Sequence, residues 1–183
     1  TIAALATAPG GAINIVRISG SDALAVANKV WRGKQQLGRE NARKMLYGLL
    51  GDPGEPVLAV YMPCPHSYTG EDVVELCCHG SALLVQRALD ALLEAGAQPA
   101  GPGEFTRRAF LNGRLDLLQA EAVVDLIDAE TSEAARHAAA QLSGTLSRAV
   151  EGVYEDLLSL MSRFYAVVDY PDEDIADLEK GES

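Results

Sequence analysis

The sequence predicts an α+β domain, a mixed sheet with flanking helices, followed by a segment made only of long helices. Three observations carry that prediction. Up to about residue 116, short apolar runs alternate with glycine- and proline-rich turns. Beyond residue 116 the apolar residues recur in steps of three and four, the spacing of one helix face. Between the two lies the run Pro102-Gly103-Glu104-Phe105-Thr106-Arg107-Arg108-Ala109-Phe110-Leu111-Asn112-Gly113-Arg114-Leu115-Asp116-Leu117. Its arginines, carboxylates, asparagine and turn residues are more than a core-covering helix needs. The expected division is therefore 1–116 and 117–183.

The elements follow in order. Residues 2–6 and 13–18 read as strands joined by the turn Pro9-Gly10-Gly11. Ser21 and Asp22 cap a helix running to about Trp31. Residues 44–50 and 57–62 form a hairpin around Gly51-Asp52-Pro53-Gly54, and 73–78 is a further strand. Ser81 caps a helix through Ala95 that Gly96 stops; its face is Leu83, Leu84, Leu89, Leu92 and Leu93. Residues 117–129 form a helix with the stripe Ala120, Val123, Val124 and Ile127, and Asp116 with Gln119 matches a capping box at its start. One longer helix is expected next. Ala135, Ala138, Leu142, Leu146, Ala149, Val153, Leu157, Leu160, Phe164 and Val167 keep helical spacing, with no proline before Pro171. A helix of that length needs a partner along its flank. The expectation is that the chain is the front part of a larger protein.

Charge and composition exclude several classes. Residues 1–116 are charge-balanced, and residues 117–183 carry the whole net charge of −11. The acidic helical part gives no bulk attraction to nucleic acid. No apolar run approaches a membrane span, and no signal-like segment opens the chain. Cys64, Cys77 and Cys78 make neither a disulfide framework nor paired zinc knuckles. Gly33-Lys34 continues with Gln35, so the chain contains no P-loop, and Gly101-x-Gly103 lacks the third glycine of a dinucleotide fingerprint. No Gly-x-Ser-x-Gly elbow is present, and no nucleophile has a base beside it. No metal site and no catalytic residue are assigned.

Polar candidates fall in three segments. Arg17 shares a strand face with Ile13 and Ile15. It is either a half-buried cation needing an anionic partner or an edge-strand arginine reaching water. In Ser67-Tyr68-Thr69-Gly70-Glu71-Asp72-Val73-Val74-Glu75, two glutamates stand at and just inside a strand, and Glu75 shares a face with Val73, Cys77 and His79. An ionised carboxylate accepts two ring N–H donors well. The plainer alternative makes Asp72 a turn cap and Glu75 a solvated residue. In the third segment, Glu104 suits the first turn of a helix, Arg107 and Arg108 form a polar face, and Asn112-Gly113 suits a C-cap.

Taken together, these blocks resemble the MnmE (TrmE) family of tRNA-modification GTPases. The resemblance covers Ala6-Thr7 through Ile15-Val16-Arg17-Ile18-Ser19-Gly20, then Ser67 to Glu75 with His79-Gly80. It continues through Pro102 to Gly113, Leu115-Asp116-Leu117, Gln119-Ala120-Glu121-Ala122, Asp125-Leu126-Ile127 and the end run Asp169-Tyr170-Pro171-Asp172-Glu173-Asp174-Ile175. The turn at Pro9-Gly10-Gly11-Ala12 is one residue shorter than the family's usual form, and Asn14 stands where glycine is common. The resemblance implies an N-terminal domain, related to folate aminomethyltransferase-type domains, that binds a tetrahydrofolate derivative (5-formyl or methylene form) and forms a homodimer. It implies the first helices of a helical domain after it, into which a GTPase domain using GTP, Mg²⁺ and K⁺ is inserted outside this chain. It further implies cytoplasmic action with the flavoprotein MnmG on carbon 5 of the tRNA wobble uridine, away from membranes, with the folate supplying the one-carbon unit. Residues implied near the folate are Arg17, Glu71, Glu75, Glu104, Phe105, Arg108 and Asn112. Two other readings stay open: a dimerisation scaffold without a ligand, and a free-standing folate-dependent one-carbon transferase.

Overall fold

The fold is described for residues 1–169 of a computed structural model. They divide into two compact units, Thr1–Ala120 and a second that starts at Glu121.

The first unit is built on one seven-stranded sheet. Its strands are β1 (Ile2–Leu5), β2 (Ile13–Ser19), β3 (Trp31–Gly33), β4 (Leu46–Leu50), β5 (Glu55–Met62), β6 (Val73–His79) and β7 (Gln98–Pro99). They lie in the order β3-β4-β5-β6-β2-β1-β7. Every pairing is antiparallel except β1 with β7, so the sheet is mixed, as expected. Helices α1 (Ala23–Val30) and α2 (Ala82–Glu94) pack on one face of it. Val16, Ile18, Val74, Leu76 and Leu92 are fully buried in the core between them. Strand alternation decides the rest. Asn14, Val16 and Ile18 of β2 point into the core, while Ile13, Ile15 and Arg17 occupy the opposite face. A third helix, α3 (Glu104–Leu111), and the start of α4 (Leu117–Ile127) complete this unit.

Two local expectations need correction, whereas α1 ends where expected, with Trp31 as its C-cap. Trp31 also opens β3, and its buried indole lies over Gly33 and Gly48, which face each other across β3 and β4. The indole N–H donates to Gln35 O at 2.9 Å, so burying the ring against the sheet outweighs extending a helix. Neither Asp22 nor Ser81 caps its helix with a side-chain hydrogen bond. The Ser21 hydroxyl instead donates to Asp22. Finally, the long helix after α4 is two helices, α5 (Ser132–Leu142) and α6 (Thr145–Asp169). The break is Gly144, in the left-handed region at φ 77°. A glycine in that conformation ends a helix as surely as a proline. The capping box at Asp116 and Gln119 forms as read: each backbone N–H donates to the other side chain, at 2.9 and 2.8 Å.

In the second unit, α5 packs on α6, and Thr131 caps α5 by accepting from Ala134 N–H at 3.1 Å. Along α6, Val150, Val153, Leu157, Leu160 and Phe164 stand more than half exposed. The side chains of Val167 and Asp169, and the acidic run from Tyr170 to Ile175, lie outside the described residues. No helix among the described residues is long and apolar enough to cross a membrane.

Candidate functional site

The site begins with register. β2 pairs with β6 so that Arg17 faces Glu75 directly, 58 residues away in sequence. Because β2 is an inner strand, Arg17 has no edge from which to reach bulk water, and it is four-fifths buried. Its Nε donates to Glu75 Oε1 at 2.8 Å, and Nη2 lies 2.8 Å from the same oxygen as an ion pair. The half-buried cation is thus matched by a carboxylate, as its burial requires. Glu75 Oε2 takes no hydrogen bond among the described residues. The Arg17 guanidinium also lies over two rings, 4.9 Å from the centroid of Tyr68 and 5.3 Å from that of Phe105. Phe105 comes from the first turn of α3, so this contact ties the helix to the sheet face. Tyr68 OH and Thr106 Oγ1 meet at 2.8 Å and tie it a second time.

A second cluster adjoins the first. Arg108 Nη1 donates to both oxygens of Glu71 at 3.1 Å, and Nη2 donates to Glu104 Oε1 at 2.9 Å. Glu104 Oε2 accepts the Gly101 N–H at 2.7 Å. That backbone bond, with the one from Arg108, holds the Glu104 carboxyl below its usual pKa. Burial pulls the Arg108 pKa down, but hydrogen bonds to Glu104 and Glu71 outweigh it and keep the guanidinium charged. Below Glu71 sits a closed ring of hydrogen bonds. The Ser19 hydroxyl donates to Glu71 Oε2 at 2.7 Å, so the Thr69 hydroxyl must donate to Ser19 across 2.6 Å. Thr69 in turn accepts the Glu71 N–H at 3.3 Å. Ser19 and Thr69 are fully buried, so the ring fixes the carboxylate with little freedom. Asn112, the C-cap of α3, donates to Thr69 O at 2.8 Å.

All seven residues singled out from the sequence therefore meet on one side of the sheet of the first unit. Asn14 does not join them. It is buried on the core face, where its amide lies 3.2 Å from Thr7 Oγ1 and braces the glycine turn. His79 is exposed at the end of β6 beside Ile13 and reaches none of the cluster. Tyr68, Ser19, Thr69 and Thr106 were missed. The available signal for Tyr68 was an aromatic residue three positions before a glutamate in a glycine-containing loop. Ser19 and Thr69 carry no such signal, because their role depends on a pairing 50 residues apart.

Glu71, Glu104, Arg107, Arg108, Leu111 and Asn112 line an open cleft of about 290 Å³. A neighbouring cleft of about 470 Å³ shares Glu104 and Arg108 with it and continues past Thr1, Ile2 and Gln98. A larger one of about 760 Å³, between Lys29, Arg87 and the β4–β5 turn, shares no residue with the cluster. The site offers hydrogen-bond acceptors, two aromatic rings and guanidinium groups in one place. That set suits a flat, N–H-bearing ring system with an anionic extension. Among the described residues, no group of three or more His, Cys, Asp or Glu side chains is arranged to hold a metal ion.

Comparison with known proteins agrees with this architecture. The family described as GTP-binding protein TrmE N-terminus matches residues 1–114, and the MnmE helical domain matches residues 117–183. The chain is 52% identical over 179 residues to the tRNA modification GTPase MnmE of Symbiobacterium thermophilum, covering 94% of this chain and 39% of that protein. It is 48% identical over 180 residues to the protein of that name from Chloroflexus aurantiacus, covering 96% of this chain and 40% of the relative. Against the Thermus thermophilus protein the identity is 47% over 184 residues, covering 97% and 42%. The chain thus spans about two fifths of the length of these curated relatives. A sheet-based unit matched by one family, a helical unit matched by the other, and near-half identity across both place this chain in the MnmE (TrmE) family of tRNA-modification GTPases.

Proposed function

We propose that the chain is the tetrahydrofolate-binding, homodimerising N-terminal part of a GTPase that modifies carbon 5 of the tRNA wobble uridine with the flavoprotein MnmG in the cytoplasm. The folate supplies the one-carbon unit. GTP, Mg²⁺ and K⁺ act on the GTPase domain of the longer protein, and no residue of this chain is catalytic. One observation carries the folate reading: Arg17 with Glu75, Arg108 with Glu71 and Glu104, and the rings of Tyr68 and Phe105 converge from three sequence segments. The residues fit the group. Glu75 retains an oxygen for ring N–H donors of a pterin, Asn112 adds an amide, and the rings give an apolar wall.

A ligand-free scaffold is the second reading, favoured because Arg17 and Arg108 already have carboxylate partners. Titration calorimetry with 5-formyltetrahydrofolate, and separately with the methylene form, divides the two. Saturable heat with at least one form is expected; a folded chain that gives no saturable heat with either favours the scaffold. Sedimentation equilibrium on the same material tests the homodimer, and a strictly monomeric chain at micromolar concentration counts against it.

A further inference from the structure

The ion pairs of the site redistribute the work among its arginines. Arg17 is held by Glu75 and by two rings. Arg108 is held by Glu71 and Glu104 together, and Arg114 donates to Ser67 O at 3.2 Å. For either of the first two guanidinium groups to take a ligand carboxylate, a half-buried glutamate must lose its partner. Breaking such a pair from one side is costly, because the charge left behind stays desolvated. Arg107 is different. It lies on the exposed side of α3, lines the 290 Å³ cleft, and its side chain makes no hydrogen bond or ion pair among the described residues. Its charge acts on Glu104 only through space.

Charge balance points the same way. Arg17, Arg108, Glu71, Glu75 and Glu104 together carry one excess negative charge. An anionic ligand group would be repelled by that set. Arg114, on Ser67 O, offsets that charge, and Arg107 adds one further positive charge in the cleft, beside the apolar Leu111. Of the two cations that line that cleft, Arg108 is held by carboxylates, so Arg107 is the one free to meet an anionic ligand group there.

Resting on the folate reading above, we infer that Arg107 is the residue that recognises the carboxylates of the folate glutamate tail, while Arg108 is a clamp that positions Glu71 and Glu104. An exposed contact of this kind contributes modestly and is screened by salt.

The test compares two ligands on the same folded chain: 5-formyltetrahydrofolate, and 6-methyltetrahydropterin, which has the reduced ring system without the aminobenzoyl-glutamate tail. Arg107→Glu should weaken the folate about tenfold and leave the pterin unchanged, and Arg107→Lys should restore most of the loss. The difference between wild type and Arg107→Glu should shrink in 1 M salt, where the screening length is about 3 Å. Thermal unfolding of the variants should match wild type, since the side chain is exposed. Equal loss for both ligands, or loss for neither, overturns the assignment. So does a wild-type chain that binds the pterin as tightly as the folate. A wild-type chain that binds neither ligand removes the folate reading itself, an outcome distinct from the other three.

Discussion

Arg17 stands in an inner strand with its guanidinium between a carboxylate and two rings, and its behaviour on substitution follows from that position. Replacing Glu75 by Gln leaves a half-buried cation short of its charged partner. The expected cost is about 1–3 kcal/mol in urea denaturation. Replacing both members, Arg17→Met with Glu75→Leu, should recover most of that loss, because no unpaired charge remains. A double variant as unstable as the single one would show that the pair is not the source. Glu104 titrates to a definite sign. Its carboxyl pKa lies below the ordinary value of 4.5, chiefly through the Gly101 N–H. Near that pH the unfolded chain binds more protons than the folded one, so stability rises with pH. The contribution is complete above about pH 4.5 and is lost as pH falls through the lower, folded value. Acid unfolding of wild type against Glu104→Gln, followed between about pH 2 and 6, should show curves that converge at the acid end.

At the scale of elements, β3 and β4 exist in this form because two glycines leave room for one indole. A Cβ on Gly48 would overlap the six-membered ring of Trp31 from the neighbouring strand, and one on Gly33 would overlap the indole from within the same strand. Gly48→Ala should therefore displace the ring. Overpacking of this kind costs about 1–3 kcal/mol, and Trp31 is the sole tryptophan, so its emission should shift to the red as the indole meets water. Unchanged emission and stability would mean that the strands part easily at this edge. The helix α3 is positioned by contacts from both its ends and its middle: Glu104 and Phe105 in the first turn, Arg108 in the last, Asn112 at the cap. Its apolar residues alone would not orient it so narrowly, since Phe110 and Leu111 are exposed.

For the molecule as a whole, the exposed apolar residues are unevenly placed. The first unit keeps a continuous core around Val16, Ile18, Leu76 and Leu92. In α6, by contrast, Leu157, Leu160, Met161, Phe164 and Tyr165 are each at least half exposed. Apolar exposure on that scale marks a surface that associates. This chain by itself should show a weight-average mass that rises with concentration in sedimentation velocity. Substituting Leu157 and Phe164 together by Glu should lower the rise. A mass that stays constant across the concentration range, or that the double substitution does not affect, would remove α6 as the cause.

Local spacing in the sequence determined most of the elements, but not every inward face: α2 buries Val85, Ala88 and Leu92 and exposes Leu83, and α4 exposes Val124 and Ile127. The alternation in β2 put Arg17 opposite the core, the glycines at 96 and 113 marked helix ends, and the capping box at Asp116 and Gln119 was legible from four residues. The family was legible too, because its motifs keep residue types and order along the whole chain. Only the tertiary structure decided which charges meet. Arg17 finds Glu75, Arg108 finds Glu71 and Ser19 finds Thr69 because of strand order and register, which are set by how a whole sheet packs. Periodicity fixes the face a residue occupies, and it contains no term for the partner waiting there. For the same reason Arg107, with neither an ion pair nor a side-chain hydrogen bond among the described residues, could be told from Arg108 only once the partners of the other arginines of the site were in place.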